Sequence, residues 1–232
     1  MPPNDTASHL EDVRARIKQA EKRYSRQIGS VELLAVSKTK PVSLISQVVA
    51  AGQLALGENY VDEGVEKIIE LDNSSLVWHY IGHIQSNKTK LLATHYDWVQ
   101  SVDRLKIARR LAEHRPPDRP PINICIQLKI DDEDSKSGCS TTDLEPLAAF
   151  IDSAPQLTLR GIMAIPAPRE DFEQQRQIFA ELHNWYQKLR SSHPTVDTLS
   201  MGMSGDMDAA IAEGATMVRI GTAVFGSRQS RK

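Results

Sequence analysis

The sequence predicts an α/β protein in which eight β-strands alternate with helices and close into a (β/α)8 TIM barrel. Short apolar runs rich in β-branched residues recur eight times, and the segments between them carry helical spacing. Eight such units within about 200 residues suit a closed barrel better than an open doubly wound sheet. The eight predicted strands cover residues 33–36, 54–56, 76–81, 97–100, 122–130, 158–165, 199–201 and 217–220.

Two helices are predicted near the start of the chain. An additional N-terminal helix is expected over residues 4–28, because apolar residues recur there every three or four positions. After the first strand, a helix is expected to have Pro41 at its first position and Gly52 just beyond its end. Val42, Ile45 and Val49 form one apolar stripe along this second helix.

The longest helix is predicted in the second half of the chain, where apolar residues from Phe172 to Leu189 follow a three-four spacing. A shorter helix over residues 206–213 is expected to stop at Gly214. Prolines between 116 and 121 form a short linker-like stretch that leads straight into the fifth strand. A single domain over residues 1–232 is therefore expected, with the barrel itself spanning 31–228.

The composition excludes several classes of protein. With 28 basic and 30 acidic residues the formal charge is −2, which argues against a dedicated nucleic-acid-binding protein. The apolar runs are too short to cross a bilayer, and the first residues lack the features of a secretory signal. Two cysteines, Cys125 and Cys139, rule out a disulfide-built fold, and neither is expected to be a ligand or a nucleophile. These observations predict a soluble cytoplasmic protein.

The turn after the first predicted strand carries a lysine in a position suited to chemistry. Lys38 has the same parity as Leu34 and Val36, so it is expected to project to the same side of the strand. Functional sites of such barrels form at the C-terminal ends of the strands. Desolvation there lowers the pKa of a lysine and frees its amine to form a Schiff base; the alternative is a solvated charge. Lys40 adjoins Pro41 and is expected to reach solvent.

Small residues after the seventh and eighth strands predict an anion site. Ser204 is expected to cap the following helix, with Gly205 beside it, so that backbone N–H groups are exposed at a positive helix end. Gly221 and Thr222 follow the eighth strand in the same manner. Loops at these two places bind phosphate in many barrels, whereas the alternative is ordinary turn and capping chemistry.

Three other residues have two interpretations each. Arg219 lies within the apolar eighth strand, so it either forms a buried ion pair or reaches a ligand at the barrel mouth. Asn59 follows the second strand, where it either caps a helix or lies near the mouth. His83 follows the third strand and is either a base or a structural histidine. The acidic stretch 131–134 lacks the spacing of a calcium loop and is expected to be solvated, so no metal site is predicted.

Together, these segments resemble the pyridoxal 5′-phosphate (PLP) homeostasis protein family, which is related to the N-terminal barrel domain of alanine racemase. The matching blocks run in order through nearly the whole chain after residue 30. They are residues 34–41, 57–61, 78–88, 135–138, 199–206 and 218–226.

The resemblance implies an alanine racemase-like barrel of PLP fold type III in which Lys38 holds PLP as a Schiff base. It implies that Arg219 lies beside the pyridine nitrogen. It also implies that Ser204, Gly205, Gly221 and Thr222 surround the phosphate, and that Asn59, His83 and Met201 line the surroundings of the ring.

The expected function is intracellular PLP homeostasis, with effects on amino-acid and keto-acid balance and without robust catalysis. An arginine at the ring nitrogen only donates, which leaves that nitrogen unprotonated and weakens PLP as an electron sink. Alanine racemase has such an arginine, so a minimal amino-acid racemase is the alternative; racemisation also needs a second base, and no added β domain is expected here. A sugar-phosphate enzyme using Lys38 is a third hypothesis. The expected partners are PLP and PLP-dependent apo-enzymes, and the expected state is a monomer.

Overall fold

The structure is a computed structural model that describes residues 6–130 and 137–226. Eight parallel strands close into a barrel in chain order, so each strand pairs with its neighbours in sequence and the first pairs with the last. The predicted (β/α)8 TIM barrel is confirmed. The strands are β1 Glu32–Val36, β2 Ala55–Glu58, β3 Val77–Tyr80, β4 Trp98–Val102, β5 Ile122–Gln127, β6 Leu157–Met163, β7 Thr198–Ser200 and β8 Met217–Ile220.

Helices follow the strands in alternation, with one additional helix ahead of β1. They are α1 Thr6–Arg23, α2 Val42–Ala50, α3 Val61–Leu71, α4 Thr89–His95, α5 Leu105–His114, α6 Leu144–Ser153, α7 Phe172–Ser192, α8 Met207–Ala212 and α9 Thr222–Phe225. Among the helices in the described parts of the chain, none combines the length and hydropathy that crossing a membrane requires.

The buried apolar residues form two separate layers. The larger layer lies between the strands and the helices and includes Leu33 and Ala35 of β1. The smaller layer contains Leu34 and Val36 of the same strand together with Met217 of β8. Because side chains alternate across a strand, the second layer lies inside the barrel.

The structure corrects some predicted boundaries. The N-terminal helix ends at Arg23 rather than at residue 28, because Ser25 has a left-handed backbone (φ 53°) that a helix does not continue through. Pro41 is the N-cap of α2 and not its first residue, since its ψ of 152° is extended. Gly52 lies just past the α2 C-cap with φ 80°, as predicted.

Candidate functional site

Three neighbouring strands bring the predicted lysine, the predicted arginine and the two predicted anion loops to one end of the barrel. Arg219 of β8 lies directly opposite Leu34 of β1 in the strand pairing. Lys38 is half-buried in the turn two residues beyond the end of β1. Strand β8 pairs with β1 on one side and with β7 on the other, and β7 precedes the loop containing Ser204. The closed order β7-β8-β1 therefore brings together residues that are far apart in the chain, such as Lys38 and Arg219.

Arg219 is buried, with 4% of its surface exposed, and its partners are neutral. Its Nη1 donates to Ser200 Oγ at 2.9 Å and its Nη2 donates to the Ala164 carbonyl at 2.7 Å. No carboxylate within the described residues forms an ion pair with it, so the ion-pair alternative is wrong. Burial lowers the pKa of Arg219 to about 10, which leaves the group charged at neutral pH. A buried cation with neutral partners is suited to hold an acceptor at the barrel mouth.

A line of polar side chains continues from Arg219 into the barrel. Ser200 Oγ lies 2.7 Å from Gln100 Oε1, and Gln100 Nε2 lies 2.8 Å from His79 Nδ1. All four side chains are buried. Burial lowers the pKa of His79 to about 3, so this histidine is neutral. The sequence prediction missed Gln100, Ser200 and His79, since only the folded barrel brings strands β3, β4, β7 and β8 into one line.

The loop after β7 is shaped by Gly202 and Asp206. Gly202 has φ 93°, and a Cβ at this position would lie 2.6 Å from the Ala210 Cβ, so only glycine fits. Asp206 is the N-cap residue of α8, and its Oδ1 accepts the Met203 N–H at 2.6 Å. The predicted capping role of Ser204 is therefore wrong, because the chain makes one more turn before α8 begins.

Ser204 and Gly205 lie in that turn with room around them. Ser204 is half-buried and Gly205 is exposed, and a Cβ on Gly205 would meet no atom within 4 Å. Within residues 6–130 and 137–226, their backbone N–H groups donate no hydrogen bond. Because α8 has only six residues, these open amides matter more than a helix dipole for holding an anion.

The loop after β8 packs against the end of β1. A Cβ on Gly221 would lie 3.1 Å from the Val36 carbonyl oxygen, so this glycine permits the close approach of the two strand ends. Thr222 follows it, exposed at the start of α9. Lys40 Nζ donates to the carbonyls of Phe225 and Gly226 at 3.3 and 2.7 Å. The prediction that Lys40 reaches solvent is wrong, because its ammonium group forms hydrogen bonds to these carbonyls at the end of α9.

Asn59 has an unsatisfied buried oxygen. Its Oδ1 has no hydrogen-bond partner in the described residues, and the N-cap residue of α3 is Tyr60, which makes no side-chain capping bond. The helix-capping interpretation of Asn59 is therefore wrong. An unpaired buried acceptor is unfavourable unless a donor from a ligand or water reaches it.

His83 and Met201 differ in their surroundings. His83 is exposed, and its Nδ1 lies 3.1 Å from Ser137 Oγ in the loop after β5. Met201 is completely buried, and its N–H donates to the Met217 carbonyl. Tyr80 Oη donates to the carbonyls of Asn59 and His83, which ties the loops after β2 and β3 together.

A buried ion-pair network lies behind the turn that carries Lys38. Lys67 Nζ donates to Glu58 Oε1 at 2.8 Å, to Glu63 Oε1 at 2.6 Å and to the Ser37 carbonyl at 2.8 Å. Burial is the main cause that raises the pKa of Glu58, partly offset by the charge of Lys67. The sequence prediction missed this network, although Glu63 and Lys67 have the i,i+4 spacing of a helical ion pair.

The remaining candidates are the two cysteines and the acidic residues. Cys125 and Cys139 are buried free thiols, and burial raises the pKa of Cys139 to about 12, so both are protonated. Among the described residues, no group of His, Cys, Asp and Glu side chains is arranged to hold a metal ion. The acidic stretch 131–134 and Lys136 lie outside the described residues.

Residues 8–229 match the family model described as "Alanine racemase, N-terminal domain". The chain is 50% identical over 232 residues to the pyridoxal phosphate homeostasis protein of Escherichia coli (strain K12), with 99% of each chain covered. It is 51% identical over 228 residues to the pyridoxal phosphate homeostasis protein of Pasteurella multocida (strain Pm70), covering 97% of this chain and 98% of the relative.

Solved structures show the same fold. PipY of Synechococcus elongatus PCC7942 with PLP bound has a TM-score of 0.83 and 34% identity, covering 95% of this chain and all of PipY. Alanine racemase from Corynebacterium glutamicum has a TM-score of 0.66 and 17% identity, and the match covers 95% of this chain and 64% of the racemase. The second similarity concerns the barrel alone.

Proposed function

Because the chain belongs to the pyridoxal phosphate homeostasis proteins within the alanine racemase N-terminal domain family, we propose that it binds PLP through Lys38 and acts in PLP homeostasis. When bound, PLP supplies an aldehyde carbon that a lysine amine attacks, so that a C=N bond forms and the aldehyde oxygen leaves as water. Lys38 is the proposed amine, because it lies at the mouth at the end of β1.

The observation that carries this proposal is the state of Arg219 on the neighbouring strand. Its guanidinium is buried, charged and held by Ser200 Oγ and the Ala164 carbonyl, without a carboxylate partner in the described residues. Such a group donates to a lone pair and does not accept a proton. A pyridine nitrogen is an acceptor of this kind, and one of the similar structures holds PLP.

The other residues at the mouth fit the rest of the group. We propose that the open amides of Ser204 and Gly205, together with Gly221 and Thr222, hold the phosphate. We assign the surroundings of the ring to three further residues, of which one offers a buried oxygen that has no hydrogen-bond partner in the described parts of the chain. They are Asn59, His83 and Met201.

We propose that the bound group is stored and released rather than used for catalysis. Arg219 keeps its protons and donates to the ring nitrogen, which weakens the ring as an electron sink. Racemisation also needs a base on the opposite face of the substrate carbon. Tyr80 is a poor candidate, since its hydroxyl already donates to the Asn59 and His83 carbonyls and burial raises its pKa to about 12. These features favour a carrier over a racemase.

PLP-dependent apo-enzymes are the proposed recipients, and a monomer in the cytoplasm is the proposed state. Both cysteines are free thiols, which is typical of a reducing compartment. The exposed large apolar side chains of the described residues come from several elements, with Leu54 just ahead of β2, Ile69 on α3 and Met203 in the loop after β7. Only Ile28 and Leu54 line a shared cavity among the cavities of the described residues, and two side chains are few for a stable dimer interface.

A transfer experiment tests this function. Purified protein is loaded with PLP, dialysed and mixed with a PLP-dependent apo-enzyme. We expect the loaded protein to be coloured after dialysis and to restore activity of the apo-enzyme, while L-alanine and L-serine are not converted to their D forms. Loss of all PLP on dialysis, or rapid racemisation by the loaded protein, would overturn the proposal.

A further inference from the structure

We propose that Glu63 and Lys67 of α3 are positioning residues that clamp the turn carrying Lys38 from both sides and thereby set the rate at which Lys38 reacts with PLP. This inference rests on the proposed function of Lys38. Neither residue touches the reacting atoms; each acts on the backbone next to them.

On the N-terminal side, Lys67 holds the peptide group that precedes Lys38. Its Nζ donates to the Ser37 carbonyl at 2.8 Å, and its other two protons go to Glu58 and Glu63. All three donors of the ammonium are therefore used. Lys67 is 6% exposed, so water competes little for these bonds.

On the C-terminal side, Glu63 holds the peptide group that follows Lys38. Its Oε1 accepts the Thr39 N–H at 2.5 Å. Thr39 has φ 61°, a left-handed conformation that is unusual for a β-branched residue. Such a conformation persists only where the surrounding structure maintains it. The contact from Glu63 supplies that restraint.

The two halves of the clamp meet in a single oxygen. Glu63 Oε1 accepts from both Lys67 Nζ and Thr39 N. Ser37 adds a second connection, because its Oγ donates to Glu58 Oε1 at 2.6 Å at the end of β2. Lys38 thus lies between two peptide groups that are fixed to α3 and β2. A lysine whose backbone is fixed loses less freedom on reaching a carbonyl carbon, which favours the reaction.

A purely structural role predicts something different. The Glu63 side chain is 29% exposed, and ion pairs of that exposure contribute little to global stability. If Glu63 only stabilised the fold, its removal would alter unfolding and leave the reactivity of Lys38 unchanged. If it positions Lys38, its removal alters the reaction rate more than the unfolding temperature.

Three variants on α3 separate these roles. Glu63→Ala removes the shared oxygen, whereas Glu63→Gln keeps a carbonyl oxygen that accepts from both Lys67 and Thr39. Asp62→Ala is the matched control, because Asp62 is the adjacent residue and pairs with Lys88 through 2.7 and 2.8 Å bonds on the exposed side of the helix. Should Glu63→Ala fail to fold, Glu63→Asp replaces it, since the shorter chain does not reach both donors.

The measurement is the rate of covalent PLP addition. Samples are quenched with borohydride at intervals, and the adduct is quantified by intact-protein mass spectrometry. The unfolding temperature of each protein without PLP is measured in parallel. We expect Glu63→Ala to slow addition about tenfold, Glu63→Gln to remain within about twofold of the wild type, and Asp62→Ala to be unchanged. Equal rates for Glu63→Ala and Asp62→Ala would overturn the inference, as would slowing by Glu63→Gln equal to that by Glu63→Ala. Wild-type protein that takes up no PLP would instead refute the proposed function itself.

Discussion

Arg219 Nη1 donates to Ser200 Oγ, and this contact determines the direction of every hydrogen bond in the line through the barrel. A guanidinium has donors only, so Ser200 must direct its own proton to Gln100 Oε1. Gln100 then presents its Nε2 to His79 and donates to the His79 Nδ1. His79 is therefore the neutral tautomer with its proton on Nε2.

The first prediction concerns His79 and acid stability. In the unfolded chain His79 takes up a proton below pH 6.5, whereas in the folded protein burial lowers its pKa to about 3. The unfolded state therefore binds more protons between these values, and stability falls as the pH drops from 6.5 toward 3. In that window, the titration of His79 lowers the free energy of unfolding by roughly 1 kcal/mol for each pH unit of acidification.

Urea unfolding of wild type and His79→Gln at several pH values measures this contribution. We expect the difference in free energy of unfolding between them to change with that slope below pH 6.5. His83→Gln, which alters an exposed histidine at the next loop, is the control and should follow the wild type. A constant difference between wild type and His79→Gln would contradict the burial of neutral His79.

Replacement of Arg219 should weaken PLP retention. Glutamine at this position still donates to Ser200 or to the Ala164 carbonyl, so Arg219→Gln should fold. It removes the charged donor proposed for the ring nitrogen. We therefore expect the dissociation constant for PLP to rise about tenfold or more and the absorption spectrum of the bound PLP to change. Equilibrium dialysis and absorbance measure both effects.

Arg160→Gln is the control for that experiment. Arg160 lies on β6 and pairs with Asp197, which precedes β7, at the opposite end of the barrel. Retention of PLP by this variant should match the wild type. If both arginine variants lose PLP equally, the loss reflects general loosening of the barrel rather than contact with the ring.

Two glycines of the loop after β7 should differ in how much stability they lose when replaced by alanine. At Gly202, φ is 93° and an added Cβ would lie 2.6 Å from the Ala210 Cβ, so Gly202→Ala should lose at least about 2 kcal/mol of unfolding free energy. At Gly205 an added Cβ meets open space, so stability should change by less than about 0.5 kcal/mol. Denaturant unfolding of the two variants tests this contrast; equal losses would show that the described loop geometry is wrong.

Replacement of Lys38 should abolish colour without unfolding the protein. Lys38→Ala removes the proposed amine from a half-buried turn, so we expect no visible absorbance with PLP and an unfolding temperature close to that of the wild type. Lys40→Ala is the matched control: it loses the contacts to Phe225 and Gly226 but should remain coloured. Colour in Lys38→Ala would identify another lysine as the reactive one.

The strand order was predictable because each strand is a short apolar run, and the helices between the strands carry apolar residues at helical spacing. The positions of Lys38 and Arg219 at one end of the barrel follow from that order alone. The predicted N-cap of α8 was wrong because two residues of suitable type lie close together. Serine and aspartate are both common at the N-cap, and in the structure the N-cap position is occupied by Asp206 and not by Ser204.

The interior contacts were not predictable in the same way. Gln100 and Ser200 are 100 residues apart and meet only when the barrel closes. The pair formed by Glu63 and Lys67 has a recognisable helical spacing, but its bond to the Ser37 carbonyl depends on how α3 packs against the end of β1. Contacts within an element follow from sequence periodicity, whereas contacts between elements depend on the three-dimensional register.

The most direct measurement is the site of covalent attachment in the wild-type protein. PLP-loaded protein is reduced with borohydride, digested and mapped by mass spectrometry. The account predicts the reduced pyridoxyl adduct on the peptide containing Lys38 and stoichiometric labelling there. An adduct located mainly on another lysine, or the absence of any adduct at saturating PLP, would contradict it.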